Sequence, residues 1–370
     1  MNAPDASGTF ALPLQIYYFY ANLPNIFFAS SQKMRNFAEL TPINIMMKKE
    51  DLRIVFMGTP EFAVTTLRAL VENGYQVVGV VTQPDKAVGR HGSVLQAPPV
   101  KVYAQEKGLP VLQPEKMKDP TFVEQLRGWG GNLQVVVAFR MLPEVVWAMP
   151  RYGTFNVHAA LLPDYRGAAP INWAVINGET QTGVTTFFLD EHIDTGRIIR
   201  QKTFDIPATA DVEYVYDGLM HLGAQVCMET LDDILAAPDG RPQAMEQDET
   251  LARHQAPKLF KDNCRIVWEG TTVQQVFNFV RGLSPVPGAW TMLTAADGTS
   301  TMLKIYKATL TDTPVGGLPV GALSRDKRHL YVACTDCMLR IDSLQLAGKK
   351  RMEATDFLNG VAGIENFSLV

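Results

Sequence analysis

The chain has 370 residues, 46% of them hydrophobic and 19% charged, an ordinary globular composition long enough for two domains with separate cores. Its formal net charge of −4 excludes a global basic field as the way a nucleic acid is held. The balance is uneven, however: residues 258–370 carry 13 Lys+Arg against 10 Asp+Glu, while residues 1–257 carry 21 against 28, so a polyanion contact is expected in the C-terminal third.

Residues 1–50 read as an extension outside the fold. The stretch 10–30 is rich in Tyr, Phe, Leu and Ile, but Pro13, Asn22, Pro24 and Asn25 make it a poor spanning helix. It also lacks the basic lead of a secretory signal. Met46 and Met47 stand immediately before KKEDLRIVFMG, which suggests a start assigned too early; an anchor or targeting peptide is the alternative.

From Leu52 to about Ala237 the pattern alternates between strands and helices. Residues 53–57 form a short apolar strand, Gly58-Thr59-Pro60 turns it into a helix over 61–72, and 76–82 is the next strand. A segment at 100–107, a short strand at 109–112 and a helix near 120–128 follow, then a continuous apolar strand at 134–139 of the kind buried in parallel sheets. Residues 211–236 close the region with apolar residues at helical spacing. Such alternation predicts an α/β fold with a doubly wound, mostly parallel sheet. Gly58-Thr59-Pro60 has neither dinucleotide-binding nor phosphate-loop spacing, so it is read as a tight turn. The connection 83–99 is long for such a fold, and long loops are usually functional or unstructured. It carries Lys86 and Arg90.

The centre of the chain is FNVHAALLPDYRGAAPINW at 155–173, followed by GVTTFFLDEHIDTG at 183–196. Asn156 and His158 are two residues apart on a strand, so both side chains point to one face. Residues 161–163 break the strand into a loop, and Arg166-Gly167-Ala168-Ala169-Pro170 opens a helix. Residues 184–189 form another strand, and Asp194-Thr195-Gly196 a turn after it. Amide, imidazole and carboxylate thus lie at strand ends, where open α/β sheets carry their sites. This set suits an amine attacking a carbonyl: donors take the developing oxyanion, and a base takes the proton. Asn, His and Asp at strand ends also serve as caps and turn formers, and spacing alone leaves both readings open.

Residues 238–257 read as a linker without apolar periodicity. Beyond it come a strand entry at 258–268, a helix at 273–281, a rigid turn at 284–290 ahead of a strand, and short strands at 302–308, 320–323, 330–333 and 338–345. That spacing predicts a small β-barrel. Four cysteines do not make a disulfide scaffold in a chain this long. Cys334-Thr-Asp-Cys337 has no second pair to complete a zinc site, so it is read as structural.

The two central motifs resemble the 10-formyltetrahydrofolate-dependent formyltransferases. So do RIVFMGTPEFA at 53–63, TQPDKAVGR at 82–90, APPVK at 97–101, VVVAF at 135–139, QDETLA at 247–252 and AGKKRMEATDFLNG at 347–360. The resemblance runs in order from Leu52 to the C-terminus. It implies a catalytic domain over 51–237, a linker over 238–257 and an OB-like, tRNA-contacting barrel over 258–370. Asn156, His158 and Asp194 are implied as catalytic. Val136, Phe139, Arg140, Leu161, Leu162 and Pro163 are implied as the folate pocket, although Arg140 stands where many relatives carry Gly. Lys86 and Arg90 on the long loop, with Lys349, Lys350 and Arg351 in the barrel, are implied as tRNA contacts. The loop is less cationic than in many relatives, with His91-Gly92-Ser93-Val94 in place of a lysine cluster. The implied reaction moves the formyl group of 10-formyltetrahydrofolate to the α-amine of methionine on initiator tRNA, in the cytoplasm, by a monomer and without a metal. An amino-sugar nucleotide or another small amine is the alternative acceptor.

Overall fold

A computed structural model describes residues 47–88 and 94–370. Residues 1–46 lie outside that range, and with them nearly all of the expected extension. Met47 packs against the core, and Lys49 Nζ donates to the Asn73 carbonyl at 2.7 Å.

The first sheet follows from strands that are apolar on both faces. β1 (Arg53–Gly58) alternates its side chains between two cores. Ile54 and Phe56 pack with Leu67 and Leu219 on one face; Val55 and Met57 pack with Phe122 and Leu126 on the other. Leu67 belongs to α1 (Glu61–Glu72), which leads to β2 (Gln76–Val81). Part of the long loop is a hairpin, β3 (Lys86–Val88) against β4 (Val94–Gln96). The segment after it is α2 (Pro99–Glu106), then β5 (Val111–Leu112). α3 (Pro120–Gly128) starts where Asp119 accepts from the Thr121 and Phe122 amides and Pro120 takes the first helical position. β6 (Leu133–Val137), the short α4 (Glu144–Trp147) and β7 (Thr154–His158) come next.

The expected helix opening at Arg166 is displaced. Arg166-Gly167 is instead a two-residue strand, β8, and the helix α5 (Pro170–Ile176) begins at the proline. β9 (Gln181–Phe188) pairs antiparallel with β7, and β10 (Ile198–Asp205) pairs antiparallel with β9. β10 has the polar, half-exposed pattern of a sheet edge, which no apolar run in the sequence marks. The sheet order is β10-β9-β7-β6-β1-β2-β5, with β7, β6, β1, β2 and β5 parallel. α6 (Val212–Ala236), capped by Asp211, covers it.

The segment read as a linker is pinned to this sheet. Met245 bridges Ile198, and β11 (Gln255–Ala256) pairs parallel with β8. Then α7 (Val273–Leu283), opened by a Thr272–Gln275 capping box, buries Val273, Val276, Phe277, Val280 and Leu283. The second sheet comprises β12 (Ala289–Ala295), β13 (Ser300–Thr309), β14 (Leu323–Arg325), β15 (Leu330–Ala333), β16 (Met338–Leu346), β17 (Met352–Glu353) and β18 (Phe367–Leu369), with α8 (Ala354–Gly360) between the last two. It is antiparallel in the order β14-β15-β16-β13-β12-β18, and an Ala322–Ser368 bridge joins its two ends. The Asn172 side-chain amide donates to the Gly282 carbonyl at 2.8 Å, and Arg281 Nη1 to the Ala210 carbonyl at 2.9 Å, fastening α7 to α5 and to the turn before α6. Among the described residues no helix is long and apolar enough to cross a membrane.

Candidate active site

Asn156 and His158 leave β7 on the face opposite Phe155 and Val157, which are in the core. Asn156 sits beside Val136 of β6 in the parallel register. Both side chains enter a cavity of about 760 Å³ at the carboxyl ends of β6 and β7, and Asp194 lines the same cavity. The three groups chosen from sequence are therefore brought together, as are Val136, Phe139 and Arg140. A second cavity, of about 630 Å³, is lined by Tyr152, Arg197 and Arg241 and contains none of the three.

His158 is buried, and its Nε2 lies 3.0 Å from the Tyr165 carbonyl oxygen. A carbonyl only accepts, so Nε2 carries the proton. Nδ1 is then the lone-pair nitrogen of the neutral ring, 3.9 Å from Asp194 Oδ2. The bond that orients the ring comes from Tyr165 rather than from Asp194. The carboxylate accepts instead from the Gly167 amide at 2.9 Å. Asn156 Oδ1 is buried without a hydrogen-bond partner, an oxygen left free for a ligand.

Three non-glycine residues have positive φ among those described: Ala138 at 47°, Tyr165 at 60° and Asp194 at 55°. Ala138 and Asp194 line the cavity, and Tyr165 holds the histidine. Each such conformation costs on the order of 1–3 kcal/mol, and strain of this kind gathers at functional sites. Two glycines make the turns possible. A Cβ on Gly167 would lie 2.4 Å from the Ala256 carbonyl oxygen, and one on Gly196 would lie 1.7 Å from that of Phe188.

The segment after α6 braces this arrangement. Arg166, buried, donates to Glu249 and to Gln247 Oε1. His254 Nδ1 lies 3.0 Å from Asp164 Oδ2, and its ring stacks on Tyr165 at 5.1 Å. The Tyr165 hydroxyl donates to Glu179 at 2.7 Å; burial, with this partner second, raises its pKa. Asp164, Glu179 and His254 are the one set of clustered metal-ligand types among the described residues; Asp164 and His254 are partnered to each other and Glu179 to the Tyr165 hydroxyl.

Other expected residues lie elsewhere. Leu161, Leu162 and Pro163 do not line the cavity: Leu162 packs with Phe187 and Ile198, and its carbonyl accepts from Gln201. The loop after β7 turns back onto β9, so its apolar residues fill core. Arg140 does line the cavity, anchored by Nη1 on the Glu115 carbonyl at 2.9 Å; its Nε has no partner, and burial lowers its pKa. Lys86 is exposed on β3, Arg90 falls outside the described residues, and Lys349, Lys350 and Arg351 are exposed on the turn between β16 and β17. Asp85, at the root of the long loop, accepts from Lys101 at 2.7 Å and from Gln113 at 2.7 Å, and these bonds lower its pKa. Tyr216 and Lys258 also line the cavity. Neither stood out in the sequence, because nothing local marks where α6 or the far side of the linker meets β7.

Residues 52–231 match the family described as formyl transferase, and residues 258–362 match the formyl transferase C-terminal domain. Methionyl-tRNA formyltransferase of Parabacteroides distasonis is 58% identical over 328 residues, 87% of this chain and 100% of that relative. The chain belongs to the methionyl-tRNA formyltransferase family. The relative of that name from Bacteroides thetaiotaomicron is 54% identical, over 85% of this chain and 97% of that one. Solved structures share the fold at lower identity. HypX from Aquifex aeolicus, in complex with tetrahydrofolic acid, has a TM-score of 0.55 at 18% identity, over 83% of this chain and 47% of that one. The N-formyltransferase from Helicobacter canadensis has a TM-score of 0.54 at 17% identity, over 81% and 100%. Asn156, His158 and Asp194 lie within the first matched segment, and the basic turn within the second.

Proposed function

We propose that the chain transfers the formyl group of 10-formyltetrahydrofolate to the α-amine of methionyl initiator tRNA, a step of translation initiation. The observation that carries this reading is the meeting of Asn156, His158 and Asp194 in one cavity of a chain with this family's sequence.

The residues divide the chemistry. Asn156 Oδ1, without a protein partner, accepts from the incoming amine and aims its lone pair at the formyl carbon. The amide nitrogen of Asn156 donates to the oxygen that becomes negative as the C–N bond forms. His158 Nδ1 takes the proton that the amine sheds. The ring then carries protons on both nitrogens. The Nε2 proton stays on the ring and donates to the Tyr165 carbonyl, and the Nδ1 proton donates to the oxyanion before passing to the leaving folate nitrogen as the old C–N bond breaks. Asp194, 3.9 Å away, stabilises the cationic ring.

The folate fits a wall made by Val136 and Phe139, with the partnerless Nε of Arg140 available to a polar edge. On the other substrate, Lys349 and Lys350 project from the barrel toward solvent, free to meet phosphates. The test is a transfer assay with labelled formyl donor and methionyl initiator tRNA, run beside uncharged tRNA and amino-sugar nucleotides. Transfer to the charged tRNA is expected. Transfer to a sugar nucleotide alone would overturn the acceptor.

A further inference from the structure

We infer that Gln247 is a positioning residue for Asp194, an inference that rests on the catalytic reading of Asp194 above. Its side chain lies in the segment joining the two sheets, yet it spends both ends on the catalytic turn and its support. Nε2 donates to the Asp194 carbonyl at 2.9 Å and to the Gly196 carbonyl at 2.8 Å. Oε1 accepts from Arg166 Nη2 at 2.6 Å and Nε at 3.1 Å. One amide thus ties the turn to a buried arginine of β8.

The turn needs such a tie. Asp194 is held at φ 55°, a conformation a residue with a Cβ leaves unless its surroundings fix it. Gly196 is wedged against the Phe188 carbonyl and leaves no room for the turn to shift inward. The carboxylate end is fixed by the same segment: Asp194 Oδ2 accepts from the Gly167 amide, and Gly167 pairs with Ala256 of β11. Residues 247 and 256 therefore grip the backbone and, through Gly167, the side chain of one aspartate. Their placement sets the 3.9 Å separation between Asp194 and His158.

A residue that merely latches the segment to the sheet would affect stability. A positioning residue affects turnover. Gln247→Glu separates the two: it keeps an acceptor for Arg166 but turns the donor that faces two carbonyls into another acceptor. The expected result is a kcat lower by about 10- to 100-fold, since a misplacement near 1 Å can cost that much. The KM values for donor and tRNA should stay within about twofold, as uniform binding is untouched. The imidazole 15N signals of His158 should move in the same direction as in Asp194→Ala. Gln247→Met removes the donor without adding charge and should lower kcat alike, which covers a charged variant that folds poorly. Glu249→Gln, on the exposed arm of the Arg166 clamp, should keep kcat within about twofold of the parent. If Asp194→Ala lowers kcat while both Gln247 variants keep it, the inference is overturned and the reading of Asp194 stands. If Asp194→Ala keeps parental kcat, the reading itself fails. Equal kcat losses in Gln247→Glu and Glu249→Gln, each tracking a lower melting temperature, would make Gln247 a latch and overturn the inference.

Discussion

The Tyr165 carbonyl oxygen lies 3.0 Å from His158 Nε2, and it leaves Nδ1 as the ring nitrogen that faces Asp194. Tyr165 presents that carbonyl from a left-handed backbone held by His254 and Glu179. The neutral ring is therefore expected as a single tautomer, protonated at Nε2. 15N NMR of histidine-labelled protein reads this directly. A neutral His158 protonated at Nδ1 would contradict the assignment of the proton-carrying nitrogen.

Asn156→Ala should lower kcat by about 10²–10³-fold, the usual cost of losing one oxyanion donor. Its stability should be unchanged or slightly higher. Asn156 Oδ1 is buried without a partner, so its removal leaves no group newly unsatisfied. Thermal melts beside steady-state kinetics check both halves; a large drop in melting temperature would show that the side chain is structural.

The basic turn should act through its two lysines. Arg351 already donates from Nε to Ser343 Oγ at 3.0 Å and lies 4.6 Å over the Tyr306 ring. The double variant Lys349→Ala, Lys350→Ala should raise the KM for tRNA and flatten the slope of log K against log salt by about 2, with kcat little changed. Unchanged tRNA KM and slope would place the phosphate contacts elsewhere.

Much of this site was legible from local pattern. The i, i+2 spacing of Asn156 and His158 needs only strand geometry, and Asp194 in a turn after the next strand needs only a rough topology. What stayed hidden depends on backbone or on distant chain. Tyr165 contributes a carbonyl, which every residue has. Gln247 sits in a polar stretch whose partners are about 50 and 80 residues away. β10 leaves little signal in the sequence because an edge strand buries little, and RIIRQKTFD shows no clean alternation. Leu161, Leu162 and Pro163, which the resemblance implies as folate contacts, do not line this cavity. Nothing in the sequence says which way a loop folds back after a strand.

The cysteines should behave as packing groups. Cys227, Cys264 and Cys334 are buried, and burial raises all three thiols, that of Cys334 to about 12. The thiolate is the reactive form, so these three should resist alkylation in the native protein at pH 8. Cys337, half-buried, should be labelled first. Mass spectrometry after a short iodoacetamide pulse counts the adducts; rapid labelling of Cys334 would contradict its role as a buried packing group.

In the proposed mechanism His158 carries the proton in formyl transfer to methionyl-tRNA. The rate of transfer from labelled donor to methionyl initiator tRNA, compared between the parent and a folded His158→Ala variant, tests it most directly. Loss of a general acid–base group predicts a fall of about 10²–10⁴-fold with the circular dichroism spectrum retained. A soluble, folded His158→Ala protein with near-parental turnover would contradict it.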